Sequence, residues 1–240
     1  MPIVDRVWTP YCGAGPAPAE LWARWNLDPL ALAMLAVLGG ALLATSENRR
    51  LAMAALLVLV AAFVSPLCAL SSALFTARTV HHVLLVTAAA PLIAYALPRP
   101  ARPPRLAAWT ASFVAVFWAW HAPAAYGWAM SSDAAYALMQ ASLLITATMA
   151  WRAVRVGRPA SAVCALLATM VLMGLVGALL TFAPRAFYAP HALTTAAWGL
   201  TPLEDQQIAG LIMWIPAAGV YLACALSILS RVLRPRLATA

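Results

Sequence analysis

Long apolar runs separated by short polar stretches make up most of the chain. A helix needs roughly 20 apolar residues to cross a bilayer. Seven runs approach or exceed that length: residues 29–45, 51–73, 79–97, 106–122, 134–151, 160–182 and 204–230. None alternates apolar and polar residues with a period of two, so a β-barrel is not expected. The pattern predicts an all-α polytopic membrane bundle of seven transmembrane helices spanning residues 29–230, with an extracytoplasmic N-terminal segment at 1–28 and a cytoplasmic tail at 231–240. The second run contains Pro66, which has no amide hydrogen to give a helix, so a bent or interfacial segment is expected between it and Ser71-Ser72.

The connections between the runs carry the charge, and they carry it unevenly. Arg49 and Arg50, then Arg99, Arg102 and Arg105, then Arg152, Arg155 and Arg158, then Arg231, Arg234 and Arg236 occupy every second connection and the tail. The alternate connections and the N-terminal segment hold only Arg6, Arg24, Arg78 and Arg185. Basic residues favour the cytoplasmic side. The alternation therefore predicts an odd number of spans, with the N-terminus outside and the C-terminus in the cytoplasm.

Composition supports the membrane reading. Apolar residues make up 65% of the chain and charged residues only 9%, with a mean hydropathy of +0.86; soluble domains carry about 25% charged residues. The net charge of +8 comes from arginines in short loops and does not indicate nucleic acid as a partner. The cysteines at 12, 68, 164 and 224 contain no CxxC pair, which excludes a zinc ribbon or thioredoxin-type motif by spacing. The first 28 residues lack a basic stretch followed by an apolar core, so no cleavable signal peptide is expected. No GxSxG, HExxH or P-loop is present, and a non-enzymatic role is expected.

In this topology all four histidines fall on one side. His81 and His82 open the third run, His121 closes the fourth, and His191 sits in the connection before the last. Imidazoles in apolar segments are costly and tend to be functional. His81, His82 and His121 are candidate metal ligands, imidazole suiting copper, zinc or iron; interfacial anchoring to headgroups or backbone is the plainer alternative. Arg78 lies one helical turn before His82 and is expected to pair with Glu204 or Asp205 at the start of the last run, unless it reaches to the interface or the two acids simply cap their helix. Gln206, Gly210 and Met213 share one face of that run and offer a polar-to-thioether stripe, with packing as the alternative. His191 is expected in a mobile loop. Cys12, in an exposed YCGAGP turn, is either a soft copper-binding thiol or a free thiol without a role.

Several stretches together resemble the seven-span CtaG-type assembly factors of caa3-type cytochrome c oxidases. They are Tyr11-Cys12-Gly13, WNLDP at 25–29, Ser65–Leu67 followed by Leu74-Phe75 and His82, WHAP at 120–123 with Tyr126, and WGLTPLEDQQIAGLIMWIP at 198–216. The chain departs from that pattern at Arg78, where relatives carry histidine, and at Tyr136, Met139 and Gln140, where further histidines are common. The resemblance implies a bacterial inner-membrane protein that associates with haem-copper oxidase subunits and helps supply copper, drawing on a periplasmic copper donor. Copper(I) held by His82 and His121, with His81 and Met213 assisting, is the ligand set expected on that basis. Two other readings stay open: a b-type haem protein using His82 and His121 as axial ligands, and a small metal or proton transporter.

Overall fold

A computed structural model describes Trp8 and residues 10–237, with side chains as far as Leu233. Arg6 and the side chains of Arg234 and Arg236 lie outside the described residues. All regular structure among those residues is helical. Ten α-helices follow in order: α1 (Pro29–Thr45), α2 (Arg49–Phe63), α3 (Leu67–Ala73), α4 (Phe75–Val83), α5 (Ala90–Ala96), α6 (Leu106–His121), α7 (Pro123–Ala129), α8 (Asp133–Val156), α9 (Pro159–Thr181) and α10 (Pro202–Leu237).

Local chemistry sets many of the boundaries. The Asp28 carboxylate accepts the Ala31 amide at 2.9 Å, the Asn48 side chain accepts the Leu51 amide at 3.2 Å, and the Ser132 hydroxyl accepts the Ala135 amide at 3.4 Å, so α1, α2 and α8 start on side-chain caps. Prolines stand in the first turns of α1, α7 and α9, where a missing N–H costs nothing. The run expected to break at Pro66 does so: α2 and α3 meet at a bend of 43°. Ser71 and Ser72 are buried inside α3, and the second break falls after them, at Leu74.

α4 and α5 are joined by a π-helical segment, Leu84–Ala89, so Phe75–Ala96 is one continuous span of 22 residues. Pro91 supplies the reason, since its ring cannot donate to the preceding turn and crowds the carbonyl of Thr87. The wider turn leaves the Val86 carbonyl to accept the Trp151 indole N–H at 3.0 Å.

Four helices are long and apolar enough to cross a membrane, and the bent α2–α3 pair makes a fifth. α1 and α6 are apolar but shorter, at 17 and 16 residues. The close approach of α9 and α10 rests on glycine: a Cβ on Gly210 would overlap Thr181 Oγ1 and lie 2.6 Å from the Gly177 carbonyl. α10 also packs along α4, and α8 along α5 and α6, while α1 leans on α2 at the periphery.

The two ends of the bundle differ. At one end Arg155 donates to the Ala94 and Leu97 carbonyls and Arg152 to Pro98, closing the connections rich in arginine. At the other, the segment before α1 runs as a strap across the helix ends. Cys12 is disulfide-bonded to Cys68 of α3. The Tyr11 hydroxyl donates to Asp28 at 2.8 Å, and Trp198 donates to the Pro16 carbonyl at 3.0 Å. Gly15 presses so closely on Ala73 that a Cβ would sit 2.8 Å from its backbone.

Candidate functional site

All four histidines lie beneath the strap, at one end of the bundle, and all are buried at 0–8% exposure. The π-helical span supplies Phe75, Arg78, His81 and His82; α6 supplies His121; α8 supplies Tyr136 and Gln140; the loop before α10 supplies Tyr188 and His191.

The span begins at Phe75 because of a residue 130 positions away. The Asp205 carboxylate accepts the Phe75 amide at 2.7 Å and the Thr76 amide at 3.0 Å, and its own carbonyl accepts the Thr76 hydroxyl at 2.8 Å. A fully buried carboxylate on α10 therefore caps α4 in trans. Glu204 caps its own helix: its carboxylate accepts the Thr201 amide at 2.8 Å while Thr201 Oγ1 accepts the Glu204 amide at 3.2 Å, a reciprocal capping box. The expected pairing of Arg78 with either acid is thus not formed. A helix N-terminus offers bare amides that need an anion, and both acids are spent on such amides.

Arg78 is fully buried, and no acid among the described residues is a partner. Its guanidinium lies 5.1 Å from the centre of the Tyr136 ring, donates to the Tyr136 hydroxyl at 3.3 Å and meets Met130 Sδ at 3.8 Å. The Tyr126 hydroxyl is close by, and Nε has no partner. An aromatic face and a thioether replace part of the hydration that burial removes, but not a counter-charge.

His82 and His121 face each other, with ring centres 6.0 Å apart and planes at 79°. His121 Nδ1 donates to the Phe117 carbonyl at 2.6 Å, which leaves Nε2 with its lone pair. That is how a ligating imidazole is usually oriented. The Gln140 amide nitrogen lies 3.5 Å from His82 Nε2. His81 turns away: its ring meets Phe63 edge-on at 4.9 Å, and neither nitrogen makes a hydrogen bond of good geometry. The three-imidazole site expected from His81, His82 and His121 is therefore a pair plus one, and no three His, Cys, Asp or Glu side chains converge as metal ligands among the described residues. Consecutive helical residues point about 100° apart, which separates His81 from His82.

Met213 is buried at 1% exposure on α10. Asp205 fixes α10 level with Phe75 and Thr76, and both helices run away from the strap. At 1.5 Å per residue, His82 lies about 10 Å and Met213 about 12 Å below that level. Gln206 does not join a stripe toward the histidines: it accepts the Phe187 amide at 2.7 Å and donates to the Arg185 carbonyl at 3.2 Å, holding the loop before α10.

His191 is not in a mobile loop. It is 2% exposed and shares a hydrogen bond of 2.7 Å with the Tyr126 hydroxyl. Burial, and then the Arg78 guanidinium, push its imidazole down to about 3, so it is neutral. Phe75 stacks on Tyr188 at 3.9 Å and meets Tyr126 edge-on at 5.3 Å, while Tyr188 donates to the His121 carbonyl at 2.8 Å. These aromatic residues brace the histidines; Phe75 and Tyr126 stand in stretches that carry the resemblance, whereas Tyr188 carried no signal in the sequence. Of the residues that replace histidines of the resembled pattern, Arg78 touches Tyr136, and Gln140 touches the retained His82.

The profile of the cytochrome c oxidase caa3 assembly factor family (Caa3_CtaG) matches residues 49–235, which include every helix from α2 to nearly the end of α10. No curated protein and no solved structure matches the chain. On the family match, the chain belongs to the cytochrome c oxidase caa3 assembly factors.

Proposed function

We propose that the protein is a non-enzymatic, multi-pass assembly factor of the bacterial inner membrane that supplies copper to a haem-copper oxidase from the outer face. The observation that carries this reading is the His82–His121 pair, 6.0 Å apart between ring centres and braced by the Phe117 carbonyl. Two imidazoles with a thioether at similar depth suit copper(I) among the biological metals. The buried Arg78 charge argues in the same direction, because its repulsion scales with the charge of the ion and opposes a divalent cation twice as much as a monovalent one. Copper would be held by His82 and His121, with Met213 as an additional soft ligand. Inside the membrane, delivery to an oxidase subunit would be lateral, through contact between helices.

Seven spans and an outer strap fit this role. α1 and α6 rise about 25 Å and 24 Å, somewhat less than a hydrocarbon core of about 30 Å, so both cross with interfacial residues at their ends. Arg49, Arg50, Arg99, Arg102, Arg105, Arg152, Arg155 and Arg158 would then be cytoplasmic, as the positive-inside rule requires.

The test is metal analysis of the purified protein after anaerobic loading with copper(I), joined to an absorption spectrum. Bound copper in the wild type, lost in the His82→Ala, His121→Ala double variant along with oxidase copper content, supports the reading. Full copper occupancy and a normal oxidase in that variant would refute the ligand assignment. A haem absorption band would replace copper with the b-type haem reading.

A further inference from the structure

We infer that Cys12 and Cys68 form a reducible pair whose dithiol form binds copper(I), a second copper site at the mouth of the cluster; for the identity of the ion, this rests on the function proposed above. Cys12 is partly buried on the strap and Cys68 is fully buried in α3, with their Cα atoms 5.5 Å apart. Each sulfur has its own donor. The Asn26 side-chain N–H lies 3.8 Å from Cys68 Sγ, and the Tyr136 hydroxyl lies 3.7 Å from Cys12 Sγ. Because the Tyr136 oxygen accepts from Arg78, its hydrogen is free to point at the sulfur. A disulfide used only as a staple has no need of such donors, whereas two thiolates around a cation do.

The surroundings also favour negative sulfur. Arg78 stands behind Tyr136, and the Arg24 guanidinium lies against Gly13 while donating to the Ala14 carbonyl at 2.8 Å. Asp28, which the Tyr11 side chain reaches, is occupied by the Tyr11 hydroxyl and the Ala31 amide. Two thiolates and one copper(I) make a complex of charge −1, which these cations offset. Thiolates select soft ions. Zinc completes its shell with four ligands, and among the described residues no third His, Cys, Asp or Glu joins this pair as a ligand.

The chemistry closes with a dithiol reductant of the thioredoxin-like class. One of its thiolates attacks Cys12 Sγ, on the less buried of the two cysteines, and Cys68 leaves as the thiolate. The second reductant thiol then displaces Cys12, leaving the reductant as a disulfide and the protein as a dithiol. Copper(I) binding releases the thiol protons and changes no oxidation state.

The test uses the full chain in detergent with Cys164 and Cys224 replaced by serine, so that only this pair reports. The protein is reduced with a phosphine, freed of it without oxygen, and titrated with copper(I) against a chromophoric chelator, beside the same protein with its disulfide intact. The reduced form should take up one more copper(I) per chain. Cys12→Ser should abolish that increment, and the His82→Ala, His121→Ala double variant should keep it. X-ray absorption should show more sulfur neighbours around copper in the reduced, loaded protein than in the loaded disulfide form, where Met213 is the proposed sulfur ligand, a readout that does not depend on any cysteine variant folding. Equal uptake in both redox states, or no added sulfur in the shell, overturns this inference and leaves the histidine site standing. No copper in either state overturns both readings.

Discussion

Removing the Asp205 carboxylate should loosen α4 far more than removing a surface acid would. Two charge-assisted hydrogen bonds, to the Phe75 and Thr76 amides at 2.7 Å and 3.0 Å, disappear in Asp205→Ala. Each is worth about 1.5–3 kcal/mol, and the Phe75 amide left behind is buried away from water, so the loss should be up to about 3–6 kcal/mol. Asp205→Asn keeps one acceptor oxygen and should lose about half as much. The assay is equilibrium unfolding in mixed micelles, followed by tryptophan fluorescence, with Arg78→Gln as the second arm of a double-mutant cycle. Since Asp205 and Arg78 share no hydrogen bond, their effects should add within about 0.5 kcal/mol. A coupling above about 1 kcal/mol would restore the ion pair that the sequence suggests. A cost below about 1 kcal/mol for Asp205→Ala would refute the trans cap.

Three further outcomes follow from the packing and the charges. His191 is held at about 3 against an ordinary value of 6.5, so between those values the unfolded chain binds a proton that the folded chain refuses. Stability should therefore fall as pH drops from about 6.5, by up to about 1.4 kcal/mol per unit for this group; melting curves between pH 7 and 5 should show it, and His191→Phe should remove its share of the slope. Gly210→Ala must push Thr181 and the Gly177 backbone away and should cost about 1–3 kcal/mol, whereas Gly219→Ala, with nothing within 4 Å of its Cβ, should be neutral or slightly stabilising in the same unfolding assay. A reporter active only in the cytoplasm should give signal when fused after Ala240 and none when inserted after His191; the reverse pattern would invert the proposed orientation.

Most helix positions were legible in the apolar pattern. The runs at 29–45, 106–122 and 160–182 became helices at Pro29–Thr45, Leu106–His121 and Pro159–Thr181, because each ends at a proline, a cap residue or an arginine that a single sequence displays. Pro66 announced the α2–α3 bend for the same reason. The start expected at residue 79 was four residues late, since the cap that begins α4 at Phe75 comes from Asp205, and no local rule reports a cap from another helix. The grouping of the histidines at one end was readable from the alternation of the arginine loops. Their pairing was not: which of two adjacent imidazoles meets His121 depends on helix rotation. Nor did spacing reveal the Cys12–Cys68 bond, because the two cysteines are 56 positions apart and the chain between them folds twice before the sulfurs meet.

The π-helical turn after His82 also has an electrical consequence. From this turn onward the span presents Leu85, Val86, Ala89, Ala90 and Ala94, all with no exposed surface, and Trp151, which binds the Val86 carbonyl, stacks on Tyr221 at 5.5 Å. That layer is an insulator between the histidines and the arginine connections. Crossing a membrane potential is worth about 2.3 kcal/mol per charge for each 100 mV. A charge held at His82 would stay on the strap side of this layer, so it would experience little of that drop and would exchange with only one compartment. If copper is held at His82 as proposed, it would load and unload from the strap side or sideways into a neighbouring protein, and not through the arginine end.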